Sequence, residues 1–417
     1  MDDSLRAIPI SRLAMASLPR FPGVLPLTAA PHRVMFFIGA INVIAAMAWW
    51  FAHLAGLSTA VQPRLPPLWL HAFLMQYQVL PAFIFGFLLT VFPRWMGLGE
   101  AARWHYLPVG LGLLLGQATT LAAAFTGSTL LLYFGWVYTC AGWLGAMAIL
   151  AGWLVKAKRP DLHARSAFAA LLVGLAGVVA FGIWLHGGSP WWLQKMAAIG
   201  SVGVLMPIYA TVAHRVFPFF AGNVIPGYAP WRPAWILRVL WALTAVHVLA
   251  ELAGLPLLRG VADAGLAGLG LVVLSRWWPR GRMPPLLAVL FVGLSWWPLA
   301  MTLYACDGVL QGLGLGPGLG RLPLHALAVG CFGTLLVAMV TRVTAGHSGR
   351  PLVLGPLGAF AFIGMNLVAL IRLAADLMPD PPLWWAISAA GWLVAFLPWV
   401  VRNLWIYLTP RADGRPG

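Results

Sequence analysis

Charge is what this chain has least of. Asp, Glu, Lys and Arg make up 9% of its 417 residues, against a hydrophobic share of 61%, whereas soluble domains carry roughly a quarter charged residues. An ordinary soluble core is thereby excluded, and the mean hydropathy of +0.87 agrees with an integral membrane protein. Carboxylates are the scarcest charges. All 10 Asp and Glu fall in tails, loops or the outer thirds of apolar runs, so a proton relay through the membrane middle has nothing to run on. Cysteine is nearly missing too. Cys140, Cys306 and Cys331 stand far apart and odd in number, which excludes a CxxC metal or redox motif and implies no disulfide framework. They read as small apolar filler. No Walker loop, GxSxG or HExxH occurs anywhere, which removes the soluble enzyme mechanisms those motifs mark.

What the chain has instead is one long apolar run after another. About 20 such residues cross the hydrocarbon as a helix. That ruler predicts about twelve spans, near 34–54, 69–93, 106–125, 129–154, 166–186, 191–213, 235–254, 257–275, 285–305, 323–343, 354–377 and 383–405. The expectation is an all-α polytopic bundle: a basic N-terminal tail over 1–33, a membrane domain over 34–408 and a short tail over 409–417. In the first tail Arg6, Arg12, Arg20 and Arg33 accompany five prolines that interrupt any long apolar segment, so it reads as cytoplasmic rather than as a cleaved signal.

The formal charge of +16 does not point to nucleic acid, because the basic residues form no aromatic-interleaved patch. Topology explains them. Counted by alternate loops, 21 of the 26 Lys and Arg lie on the side of the N-terminus. Arg64, Lys195, Arg259, Arg321 and Arg372 lie on the other. The positive-inside rule then places both termini in the cytoplasm of a bacterial inner membrane, with the bilayer as the certain partner. No oligomeric state follows. Glycines such as Gly110, Gly112, Gly116, Gly330 and Gly333 invite close helix packing. A short echo recurs every four spans, VFPRWMG at Val91–Gly97, VFPFFAG at Val216–Gly222 and TRVTAGHSGRP in the tenth span, as three repeats of four helices would give.

Ionisable residues inside a membrane are costly and each calls for a functional hypothesis. His32, His105, His163, His214 and His347 sort to the cytoplasmic side, and His53, His71, His186, His247 and His325 to the outer leaflet. A haem needs axial imidazoles at matching depth on facing helices. His71 and His325 open the second and tenth spans in similar settings, Leu70-His71-Ala72 and Leu324-His325-Ala326. They are the best axial pair, and the competing reading is a pair of interfacial histidines at ease with water. His247 precedes Glu251 by one turn, so it reads either as a metal ligand with an acidic partner or as a solvated pair. Haem propionates would take Arg321 or Arg372, and Arg64 and Arg259 are further outer cations. Asp263 and Asp376, four residues after Arg259 and Arg372, compete as salt-bridge partners.

On the inner side Arg94, His214, Arg215, Arg342, His347 and Arg350 gather at the ends of the second, sixth and tenth spans. They suit a small anion or lipid phosphates, and also plain topological anchoring. An alternative function therefore stays open: a transporter or anion- or lipid-binding protein without a redox centre.

The tenth span carries the most specific pattern. Leu324-His325-Ala326-Leu327, Gly330, Gly333-Thr334, Met339, Thr341-Arg342 and Gly346-His347-Ser348-Gly349-Arg350-Pro351 closely resemble the signature of the NnrS family, bacterial membrane proteins described as containing haem and copper and linked to the response to nitric oxide. Gly86-Phe87-Leu88-Leu89-Thr90 with Pro93, Trp95 and Gly97 is similar to that family's GFLLTxxPxWxG run, and Arg215-Val216 with Pro218-Phe219 to its RVxPxF segment. The resemblance implies haem of b type, and a role in nitric oxide or nitrosative stress. One departure bears on copper. Where the family's second span opens HAHEM, this chain has His71-Ala72-Phe73-Leu74-Met75, which removes an imidazole and a carboxylate and leaves copper doubtful. The layout is also similar to subunit I of haem–copper oxidases, a likeness of fold that carries no function by itself. The oxidase's dense histidine set is missing, so oxygen reduction is not expected.

Overall fold

In hydrocarbon every backbone amide and carbonyl must find its partner inside the protein, and a chain this apolar answers with helices. A computed structural model describes residues 26–57 and 65–415. Its twelve membrane-length helices are Pro31–Leu54, Pro67–Trp95, Arg103–Thr126, Thr129–Lys156, Leu162–Leu185, Trp191–Val224, Trp235–Ala253, Pro256–Trp277, Pro285–Gly312, Leu322–His347, Gly355–Ala375 and Pro381–Leu408. Among the described residues there is no strand. The predicted and observed spans agree one for one, with two differences. The first helix begins at Pro31, so His32 and Arg33 are buried in its first turn and do not belong to a tail. The sixth runs on to Val224, through Pro218. Charge at Arg215 ends the hydropathy signal there but not the backbone hydrogen bonding.

The second and sixth spans are the most buried, at 83% and 78%, and the ninth and tenth follow at 67%. The second touches the sixth, and the sixth the tenth, near the middle of the bundle. Around them the third to fifth, the seventh to ninth, and the eleventh and twelfth with the first form three flanking arcs, and the first span packs against the last to close the ring. Side chains such as Leu111, Leu144, Val261 and Leu367 are exposed in mid-span and face lipid. Small residues set the closest approaches. A Cβ on Gly112 would come within 2.7 Å of the Gly142 Cα, and one on Gly308 within 2.6 Å of the Gly260 Cα, as expected where backbones meet.

The fourfold echo has a structural counterpart. Each inner span is interrupted by a π-helical stretch, Leu74–Val79 in the second, Ile199–Leu205 in the sixth and Ala326–Gly333 in the tenth. Such stretches widen a helix and free backbone groups, and they are frequent at functional sites. The freed groups are satisfied locally. Pro81 lacks the amide that an α-helix would direct at the Tyr77 carbonyl, and Trp143 Nε1 donates to that oxygen at 2.9 Å. In the tenth span the Thr334 hydroxyl donates to the Gly330 carbonyl.

Candidate functional site

The three π-helical stretches surround one cavity of about 510 Å³ on the face opposite the two chain ends. Its floor is apolar. Phe36, Phe83, Leu88, Phe217 and Met339 close around a much smaller void of about 70 Å³ on the way to the other face, so no polar channel continues through the bundle there.

His71 and His325 both line the cavity. His71 stands three residues before the π-helical stretch of its span, and His325 immediately before that of the tenth. The sixth span carries no histidine at this point. Its Lys195 is buried and donates to the Glu251 carbonyl at 2.7 Å. The His71 ring stacks on Trp50, centroids 4.5 Å apart at 19°, which fixes its plane, and its buried Nδ1 has no partner. His325 Nδ1 lies 2.9 Å from the Arg321 carbonyl, which orients that ring and leaves Nε2 available to the cavity. Arg321 and Arg372 line the same wall. Both guanidinium groups lie over the Trp385 ring, at 5.7 and 5.5 Å. Arg372 holds Asp376 at 3.0 Å, as the spacing of four residues predicts. Two imidazoles, an aromatic wall and two arginines are what a b-type haem needs from a protein: axial nitrogens, an apolar slot and propionate partners. The residues fit the group.

The copper expectation meets a different surrounding. Phe73 is fully buried and stacks on Phe181 at 3.9 Å, and Leu74 is fully buried as well. Among the described residues no three His, Cys, Asp or Glu side chains are grouped as a metal ion would require. This donor set does not fit a protein-ligated copper.

His247 lines the cavity, but its acidic partner differs from the expected one. His247 Nδ1 is 2.6 Å from Asp263 Oδ1 in the eighth span. Glu251, its neighbour along the helix, accepts instead from Arg259 at 2.8 Å. Arg259 also pairs with Asp307 and stands 4.0 Å from Asp263. It is therefore consumed by carboxylates rather than available to a propionate. Sequence spacing favoured the partner one turn away, whereas the eighth and ninth spans pack close enough to supply others. Arg64, the remaining outer cation, lies outside the described residues.

The inner cluster does not form one ring. His214, Arg215, His163 and Asp161 make one group. Arg215 reaches Asp161 at 2.6 Å and lies over Trp95 at 4.4 Å, while the two imidazoles approach to 2.9 Å. Burial pushes the Asp161 carboxyl up, but hydrogen bonds from His163 and Arg215 outweigh it and hold the group below the ordinary carboxylate range. A depressed carboxylate contributes stability that is complete above its unfolded value, near pH 4, and lost as pH falls through the folded one. The thermal midpoint in detergent is therefore expected to fall on acidification below about pH 4, and to fall less in Asp161→Asn. Asp161 also caps the fifth span, accepting from the His163 and Ala164 amides, so Asp161→Ala should cost about 1 kcal/mol from the lost cap in addition to the pH-dependent part.

The second group holds His347, Arg350 and Arg94, joined by residues that sequence spacing did not select. The His347 ring is 4.4 Å from His32. Arg33 donates to the carbonyls of Ile406, Tyr407 and Thr409 at the end of the last span. Arg411 donates to the His347 carbonyl at 2.9 Å. Arg94, at the exposed edge of this group, also pairs with Glu100 at 3.4 Å, and Arg342 packs over Phe220 at 3.8 Å. Gly349 shows why the Gly-His-Ser-Gly-Arg-Pro run needs its second glycine. Its φ is +68°, and the Asp413 carboxyl carbon lies 2.5 Å from where a Cβ would stand. Gly349→Ala should cost roughly 1–2 kcal/mol from the backbone alone, read as a lower melting temperature, and should displace residues 409–415.

The whole-chain comparison agrees with these local features. None of the curated proteins compared with the chain matches it. A family model described as NnrS protein matches residues 26–411, the region that holds the spans, the cavity and the Gly349 turn. The chain belongs to the NnrS family.

Proposed function

We propose that this is a haem-binding protein of the bacterial inner membrane, with both termini cytoplasmic, that serves the response to nitric oxide or nitrosative stress. The observation that carries the reading is that His71 and His325, 254 positions apart in sequence, line one cavity with Arg321 and Arg372 on its wall. Haem, when bound, would supply iron able to bind nitric oxide or to pass an electron. The chain's own part is to present the two imidazoles, to hold the His325 ring through the Arg321 carbonyl, to face propionates with two arginines and to close the inner side with apolar residues. With the basic face in the cytoplasm, as the positive-inside rule supports, the cavity on the opposite face would open toward the periplasm. The test is the visible spectrum of protein purified in detergent from cells supplied with haem. A Soret band at about one haem per chain is expected. A colourless protein from those cells would remove the reading.

A further inference from the structure

The chain ends meet a concentration of positive charge that the haem reading does not use. Arg33, Arg350, Arg402 and Arg411 converge where the first, tenth and last spans end, and each bears electrostatically on at least one of the others. Two carboxylates lie nearby. Asp413 is held by Arg411 at 2.6 and 2.9 Å, and Glu100 by Arg94 at 3.4 Å. Arg33 is buried and fully engaged with helix-end carbonyls. Arg350 and Arg402 are left over.

Polar atoms here are also left over. Arg350 Nη1 is buried without a partner, as is Nδ1 of His32, a residue 3% exposed that faces the His347 ring. Asn403, beside Arg402 in the chain and 1% exposed, leaves both its amide nitrogen and its oxygen unpaired. Unpaired buried donors are costly, and uncompensated like charges add to that. A ligand that accepts several hydrogen bonds and carries negative charge would relieve both at once.

We propose that this face binds one phosphate-type oxyanion, with Arg350 and Arg402 as the charged donors and His32 beside them. The planar guanidinium fork matches a tetrahedral oxyanion in a way that an ammonium group does not. The site lies where the first, tenth and last spans reach the end of the bundle, and the phosphate is that of an anionic lipid or a free one. The two sources share their chemistry and differ in the experiment.

The thermal midpoint of delipidated protein in neutral detergent is measured with inorganic phosphate, with phosphatidylglycerol and with phosphatidylcholine. Stabilisation by inorganic phosphate assigns a free anion. Stabilisation by phosphatidylglycerol alone assigns a lipid. Arg350→Gln/Arg402→Gln should weaken the effective anion at least tenfold, while Arg282→Gln, exposed on the same face, should leave it unchanged. If the double glutamine variant does not fold, Arg350→Lys/Arg402→Lys keeps the charge and must still bind several-fold more weakly. Absence of stabilisation by either phosphate source, or equal binding by the wild type and the folded double variant, overturns the proposal. The readout involves no haem, so it stands or falls apart from the spectrum.

Discussion

Replacing His325 with alanine is expected to abolish the Soret band while leaving a folded protein. The ring is half-buried and faces the cavity, and among the described residues its hydrogen bond is to the Arg321 carbonyl of its own helix turn. Nothing across the bundle depends on it. Its removal therefore costs little structure and one axial nitrogen. His71→Ala should have the same outcome. A loss of haem occupancy of tenfold or more, worth at least about 1.4 kcal/mol of affinity, is the expected size. Free imidazole added during haem reconstitution should restore part of the band, because the truncation leaves a space of the ring's shape. A purely structural role would not give that rescue. His186 supplies the control, since its Nδ1 turns to the Gly182 carbonyl at 2.8 Å and it does not line the cavity. His186→Ala should keep full haem. An unchanged Soret band in His325→Ala would sink the ligand assignment.

The parts of this architecture that sequence reveals are those that the bilayer dictates. Span number follows from hydropathy, which is a one-dimensional property. That His71 and His325 each open a span is legible for the same reason, and the structure places both on one cavity. What sequence did not reveal depends on which helices touch. Asp263 is invisible as a partner of His247 until the seventh and eighth spans pack. The π-helical stretches have no composition of their own, although Pro81 and Pro207, each just past such a stretch, mark two of the three. The inner cluster was misjudged in the same way. Arg33 and Arg411 are 378 positions apart, and only the packing of the first span on the last brings them to His347.

This difference between the two faces has a physical basis. On the cavity side, Arg259, Arg321 and Arg372 line the cavity, and carboxylates take up Arg259, so Arg321 and Arg372 are the cations left to face its interior. On the other side the basic residues are numerous, as the positive-inside rule expects of a cytoplasmic face, so their abundance says little. What carries information there is satisfaction of hydrogen bonds: Arg33 and Arg215 are paired, Arg350 is not.

Arg259→Met should be the most damaging single change in the cavity wall. Arg259 is 8% exposed and stands among three carboxylates, Glu251, Asp263 and Asp307. Asp263 is fully buried and also holds His247, and Asp307 accepts further from the Leu319 amide at 2.6 Å and from Gln311 at 2.9 Å. These acceptors remain if the arginine is removed, but the only guanidinium among them is gone. Taking one partner from a buried ion pair costs about 3–5 kcal/mol, because the other charge stays buried and uncompensated. That is a large share of a typical folding free energy. The expected result is little folded protein in detergent, or a melting temperature lowered by roughly 10 °C or more. Asp307→Asn in the same chain should recover part of the loss, since it removes one of the charges left behind, and the recovery measures the coupling directly. A variant that melts within about 2 °C of wild type would mean that the carboxylates are compensated by something other than Arg259. The two large effects are distinguishable by fold: His325→Ala loses the band from an intact bundle, whereas Arg259→Met loses it with the bundle.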